Sequence, residues 1–546
     1  MSESDPSAPK TDAPPEPAFP VIPGLNDPAT LERAGAFWLD QLNLWQRMLA
    51  PADADEAKPD KRFAAPEWRE NPWYDWVRRS YLTLSDHLLR GVDAMEGVSE
   101  AQKERMRFAA RGFIEAMSPS NFPLTNPQVM KRAVETKGES LMTGMKHLLS
   151  DLERGQLTHT QGDAFEVGRN LATTPGKVIK RTPLFELIHY TPTTDQVAAI
   201  PLVIFPPWIN RFYILDLTPE KSFIRWAVEQ GLSVFMVSWK SADATMKDVV
   251  WDDYVKAQIE AIDTVRETLS VEKVHAIGYC VAGTTLAATL ALLAARGQAD
   301  KVASATFFTA QVDFSGAGEL KHFVDDDQLA MIEALAPDGY LDGRYMATTF
   351  NLLRGRDLIW NYVTNNYLLG NDYKPFDLLH WNGDTTNLPS KWHLSYLRDL
   401  YRDNLLVEPG RLSVDGTPLD LRQVKTPAYV QAGREDHIAP AESVWHLTHR
   451  LSGPVRFVLA GSGHIAGVVN PPSAGKYQYW TNEGEAKTLA EFVAGAHETK
   501  GSWWPDWTRW LAKIDAKGVP AKGARVPGGD GRETLGDAPG EYVRAR

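Results

Sequence analysis

The sequence predicts an α/β fold with a mostly parallel central sheet, a lid insertion and a helical N-terminal region. Three observations carry this reading. From about residue 176, short apolar runs of β character alternate with helical patterns. An aromatic, Asn-rich stretch over 320–400 interrupts the alternation, which then resumes. Upstream, residues 29–170 show helical spacing and no convergent acid, base or nucleophile.

Along the chain, residues 1–28 hold eight prolines among small and acidic residues and are expected to be disordered. Leu31, Trp38, Leu42, Trp45 and Leu49 give a helical stripe over 29–50, and a loose stretch follows at 51–62. Helices are predicted at about 73–95 and 99–117. The first gathers Trp73, Trp76, Val77, Tyr81, Leu84 and Leu88 on one side. The catalytic region is expected over 171–517. It opens with strands at 177–181, 185–190 and 199–205. Helix 219–230, strand 233–238, helix 251–269, strand 273–278, helix 281–295 and strand 303–309 follow. Beyond the insertion come strand 427–432, helix 441–451, strand 454–460 and a helix near 484–496. The tail 518–546, rich in Gly, Pro and charge, is expected to be flexible.

Composition excludes several classes. Hydrophobic content of 43% and charged content of 23% are those of an ordinary globular chain. A net charge of −12 disfavours a general nucleic-acid binder, which needs a basic surface to displace counterions. The single cysteine forbids an intrachain disulfide and fits a reducing compartment. The start Met1-Ser2-Glu3-Ser4-Asp5 lacks the basic and apolar regions of a secretory signal. Residues 274–295 carry no Asp, Glu, Lys or Arg and are long enough to span a membrane. Their middle, however, reads Gly278-Tyr279-Cys280, so a buried strand, a sharp turn and a buried helix are expected, with no membrane span. No metal cluster and no phosphate-binding loop is visible, and no cofactor is expected.

That turn is the chemical centre of the sequence. In V-E-K-V-H-A-I-G-Y-C-V-A-G a strand runs through Gly278-x-Cys280 into a helix of small residues. This is the context of a nucleophile elbow, where a strained turn pushes the reactive atom out above the sheet. The usual last position of the pattern is glycine; here it is Ala282, with Gly283 one residue later. A lone cysteine is more often a small buried apolar residue, but this placement favours a nucleophile.

Two downstream strand ends supply partners in the order nucleophile, acid, histidine, the order of an α/β-hydrolase triad. A-Y-V-Q-A-G-R-E-D-H-I-A-P offers Asp436, and R-F-V-L-A-G-S-G-H-I-A-G-V-V-N-P-P offers His464, 28 residues later. That separation accommodates one helix and one strand, which brings both side chains to the same edge of the sheet. Glu435 competes with Asp436, which could also cap the next helix; His437 competes with His464 and is read as a supporting residue. An oxyanion hole needs two backbone donors: Val281 is one, and after Pro206-Pro207 the other is Trp208 or, preferred, Ile209.

Seven blocks, G-Y-C-V-A-G-T, P-P-W-I-N-R-F-Y-I-L-D-L, F-F-T-A-Q-V-D-F, L-L-H-W-N-G-D-T-T-N-L-P, G-R-E-D-H-I-A-P, S-G-H-I-A-G-V-V-N-P-P and G-S-W-W-P-D-W, resemble the polyhydroxyalkanoate synthases over about residues 66–515. Length and a full N-terminal region resemble the class I, single-subunit type. The resemblance implies polymerisation of (R)-3-hydroxyacyl-CoA, 3-hydroxybutyryl-CoA above all, with catalytic roles for Cys280, Asp436 and His464. It further implies a growing polyester chain on the enzyme, a homodimer, and attachment to cytoplasmic polyester granules through the N-terminal region. Asp436 has two roles open to it: orienting His464, or assisting the 3-hydroxyl of the monomer. A cysteine hydrolase such as an intracellular depolymerase would share the triad, and a granule scaffold with a vestigial site is a third reading.

Overall fold

The computed structural model describes residues 60–545, together with 35–36, 38–40 and 42. The tail 1–28, most of the helix expected at 29–50 and nearly all of the loose stretch 51–62 lie outside the described residues. The chain divides into two compact units, Met1–Ser140 and Leu141–Arg546.

The first unit is helical where described. Helix α1 (Pro72–Asp93) begins with Asn71 accepting from Trp73 N and a proline in its first turn. Helix α2 (Glu100–Ala116) begins with a capping box between Ser99 and Gln102. Helix α3 (Pro127–Glu135) is capped by Asn126. A small core forms around Phe63, Trp68, Val92, Ile114 and Val129. Tyr81, from the expected stripe of α1, donates to Ile114 O at 2.5 Å. The same stripe leaves Trp73, Leu84 and Leu88 exposed, as is Phe113 on α2.

The expected boundary at 170 is displaced to 140. Helix α4 (Glu139–Arg154) and the segment after it bind within the second unit. Tyr367 Oη donates to Asp151 at 2.5 Å, His147 Nδ1 bonds Asn366 O at 3.1 Å, and His159 Nε2 bonds Leu358 O at 2.7 Å. Helical spacing identifies the element but not the partner its polar side chains find.

The second unit is built on an eleven-stranded sheet. Its strands are β1 (Gly176–Arg181), β2 (Phe185–Tyr190), β3 (Leu202–Phe205), β4 (Val234–Trp239), β5 (Val274–Tyr279), β6 (Val302–Phe308), β7 (Ala428–Gly433), β8 (Val455–Ala460), β9 (Gln478–Thr481), β10 (His497–Lys500) and β11 (Gly536–Asp537). The spatial order is β10-β9-β8-β7-β6-β5-β3-β4-β2-β1-β11. The six strands from β4 to β8 pair in parallel, and the strands outside them are antiparallel. Helices α5 (Phe223–Glu229), α6 (Trp251–Leu269) and α7 (Val281–Ala295) connect the parallel strands. Strand β5 is buried throughout and α7 over nearly all its length, as befits an element covered on both faces. No helix among the described residues is long and apolar enough to cross a membrane.

The insertion between β6 and β7 is helical. It contains α8 (Asp326–Ala334), α9 (Gly343–Leu353) and three π-helical stretches at Arg356–Trp360, Val363–Leu368 and Tyr396–Arg402.

The tail differs from its expectation. Gly518–Pro520 pairs with Gln196–Ala198, and β11 extends the sheet by pairing with β1. Arg525 donates to Ala198 O and Ala199 O, and Val543 is buried. Glycine, proline and charge describe the segment's local freedom; backbone pairing with distant strands removes that freedom. Helix α9 is followed downstream by α10 (Trp504–Ile514), inside the G-S-W-W-P-D-W block, which periodicity alone did not single out.

Candidate active site

Strand β5 ends at Tyr279 and α7 begins at Val281, so Cys280 occupies the turn by itself. Its backbone has φ 54° and ψ −127°, a sparsely populated conformation for a residue with a Cβ. Close approach of strand and helix enforces it. A Cβ on Gly278 would stand 2.5 Å from Gly283 Cα, and one on Gly283 would press into Ala310 Cβ. The second glycine the elbow needs is therefore Gly283. Ala282, where the pattern usually has glycine, is fully buried in the core and its carbonyl accepts from Gln258 at 3.0 Å.

Parallel pairing of β7 with β8 delivers the other two residues to the same edge. Asp436 Oδ1 accepts from Ile438 N at 2.8 Å and from Ala439 N at 2.9 Å, and Oδ2 meets His464 Nδ1 at 2.7 Å. The Asp436 side chain has no solvent exposure. His464 and Cys280 line one cavity, and the cysteine acts electrostatically on the imidazole. Burial opposes a charge on the imidazole, but Asp436 and Cys280 together outweigh it and raise the His464 pKa to about 10.

Aromatic groups hold the histidine loop. Tyr279 Oη donates to His464 O at 3.0 Å, Trp503 Nε1 to Gly467 O at 2.8 Å, and Trp504 Nε1 to Val468 O at 2.9 Å. The G-S-W-W-P-D-W block does not reveal this task for its tryptophans from the sequence; the one local signal is two adjacent indoles, each able to donate.

Of the remaining expected residues, His437 lines the cavity beside His464, and burial with the nearby Arg354 charge pushes its pKa down. Ile209 also lines the cavity. Val281 is the first residue of α7, next to a Cys280 amide that is already committed to Phe308 O at 2.9 Å. The loop bearing Ile209 is pinned through its carbonyls: Trp239 Nε1 donates to Pro206 O, Thr386 Oγ1 to Trp208 O and Trp381 Nε1 to Arg211 O. Trp208 is buried, its ring stacked on Tyr254 at 4.0 Å. Glu435 does not line the cavity.

The cavity above Cys280 measures about 370 Å³, and its lining comes mostly from the insertion, including Val324, Met346, Phe350, Leu397 and Tyr401. A cysteine paired to an imidazole, itself paired to a carboxylate, can accept an acyl group and release it to a second nucleophile. The apolar lining disfavours water as that nucleophile.

The N-terminal model of poly-beta-hydroxybutyrate polymerase (PhaC) matches residues 59–227, and that of the α/β hydrolase fold matches residues 219–471. Poly(3-hydroxyalkanoate) polymerase subunit PhaC of Rhizobium meliloti (strain 1021) is 42% identical, over 98% of this chain and 90% of its own. The chain belongs to the poly(3-hydroxyalkanoate) polymerase family. The Cupriavidus necator polymerase subunit is 43% identical over 96% of this chain and 91% of its own, and the Methylorubrum extorquens polymerase 45% identical over 94% and 85%. Members of this polymerase family carry out polyhydroxyalkanoate polymerisation, an acyltransferase-type reaction, here on an α/β-hydrolase fold.

Proposed function

We propose that the protein polymerises (R)-3-hydroxyacyl-CoA, principally 3-hydroxybutyryl-CoA, through a thioester on Cys280. The observation that carries the reading is the Cys280–His464–Asp436 relay at the floor of an apolar cavity. Cys280 Sγ attacks the thioester carbonyl beside a His464 that already carries its proton, and that imidazolium proton leaves on the CoA thiol. The exchange replaces one thioester by another, so the acyl group stays activated. The hydroxyl oxygen of a chain end then attacks the Cys280 thioester, the hydroxyl proton passes through His464, Sγ departs, and an oxoester joins the units. Val281 N–H and Ile209 N–H serve the developing oxyanion. Asp436 acts through His464, because backbone amides hold its first oxygen and His464 its second.

The exposed apolar side chains of the first unit, among them Trp73 and Phe113, suit a role in dimer formation and in attachment to polyester granules in the cytoplasm. Incubation of the full chain with (R)-3-hydroxybutyryl-CoA should release CoA and deposit insoluble polyester. Soluble 3-hydroxybutyrate as the sole product would point to a hydrolase and overturn the reading. Because Cys280 is the sole cysteine, one equivalent of iodoacetamide should abolish CoA release.

A further inference from the structure

Among the polar side chains of the cavity wall that acyl transfer leaves without a task, His393 stands apart. His393 lies in the short helix Ser390–Ser395 and lines the cavity, yet is only 2% exposed. Its ring lies almost parallel to that of Trp392, at 5.9 Å and 19°. Nδ1 has no hydrogen-bond partner among the described residues. Several other polar side chains of the wall are engaged: Trp381 Nε1 on Arg211 O, Tyr279 Oη on His464 O, Arg354 on Asp357. Among the described cavity-lining side chains, His393 alone has an enclosed nitrogen or oxygen without a partner. Nδ1 presents no surface to the cavity, so a ligand there can meet the ring only at Nε2.

The charge state narrows what that ligand is. Burial pushes the His393 pKa down to about 4, so the ring is neutral and offers one N–H and one lone pair. A neutral imidazole in an apolar wall is poorly matched to a phosphate and well matched to a hydroxyl, which both donates and accepts. Of the oxygens on a hydroxyacyl thioester, the carbonyl is drawn to the backbone donors beside Cys280. The hydroxyl is left for the side-chain wall. We propose that His393 is a recognition residue that hydrogen-bonds the hydroxyl group of the bound hydroxyacyl unit and so selects hydroxylated over plain acyl thioesters. The proposal rests on the reading of Cys280 as the acyl acceptor.

The test compares the acylation of Cys280 by (R)-3-hydroxybutyryl-CoA with that by butyryl-CoA, which lacks the hydroxyl. Single-turnover CoA release and intact mass of the full chain report both. In the parent, the hydroxylated substrate should react faster. His393→Phe keeps the ring and removes both nitrogens. It should slow acylation by hydroxybutyryl-CoA by about 10- to 100-fold and leave butyryl-CoA within about twofold. His393→Gln, which restores a donor and an acceptor, should recover part of the preference. Butyryl-CoA acylation doubles as the check on folding; if His393→Phe fails it, His393→Leu takes its place in the same ratio. Equal slowing of both substrates, or an unchanged preference, would overturn the role of His393 while leaving the Cys280 chemistry standing. A parent enzyme that accepts neither acyl group would instead overturn the acyl-transfer reading, and this inference with it.

Discussion

Gly278 and Gly283 stand back to back across the nucleophile turn, so close that a Cβ on the first would lie 2.5 Å from the Cα of the second. The contact lets α7 start directly over β5 and holds Cys280 at φ 54°. Ala282, one residue earlier, points its methyl into the core instead. Gly278→Ala and Gly283→Ala should therefore each cut activity by more than tenfold and lower the melting temperature. Ala282→Gly should cost about 1–2 kcal/mol, the helix-propensity difference plus one buried methyl, and keep activity within about threefold. Equal tolerance of all three changes would contradict this packing.

The Asp436–His464 pair makes stability depend on pH. The folded His464 pKa of about 10 stands above the unfolded value of about 6.5. Its contribution is fully present below about pH 6.5 and is lost as pH rises through about 10. Asp436→Asn keeps the shape but removes the charge that does most to raise the histidine. Urea unfolding at pH 7 and at pH 10 should show a smaller fall in stability for the variant than for the parent. An unchanged difference would mean that Asp436 does not set the protonation of His464.

Trp503 is expected to position His464 at a distance. Trp503→Phe removes the bond to Gly467 O while keeping an aromatic ring in the core. The loss should be about 1 kcal/mol in stability, as for one neutral hydrogen bond, with a larger proportional fall in kcat than in KM. A variant with lowered stability but parental kcat would confine the residue to packing.

Arg211 should tie the tail to the edge of the site. Its guanidinium meets Asp384 at 2.7 Å, Val543 O at 2.9 Å and Ala545 O at 2.8 Å, and the ion pair is almost fully enclosed. Arg211→Met leaves Asp384 without its cation and should cost about 3–5 kcal/mol. Trypsin should then cleave after Arg525 and Arg532 well before the rest of the catalytic unit. Parental proteolysis of the tail would show that the strand pairings alone secure it.

Much of this protein was determined locally and so could be read from the sequence. The helices at Trp251–Leu269 and Val281–Ala295 start and stop where the spacing predicts, because apolar periodicity and small residues act over a few turns. Asp436 and His464 could be named because strand, loop, helix and strand in 28 residues leave parallel strands little choice of edge. Tertiary structure alone decided the rest. The short strand β10 and the tail strand β11 exist through the partners they pair with, and their own residues carry little β signal. Helix α4 joins the catalytic unit through bonds to residues more than 200 positions away. Which glycine completes the nucleophile turn, and which indoles hold the histidine loop, depend on distances of closest approach between elements distant in sequence. Periodicity gives each element its identity; only packing sets those distances.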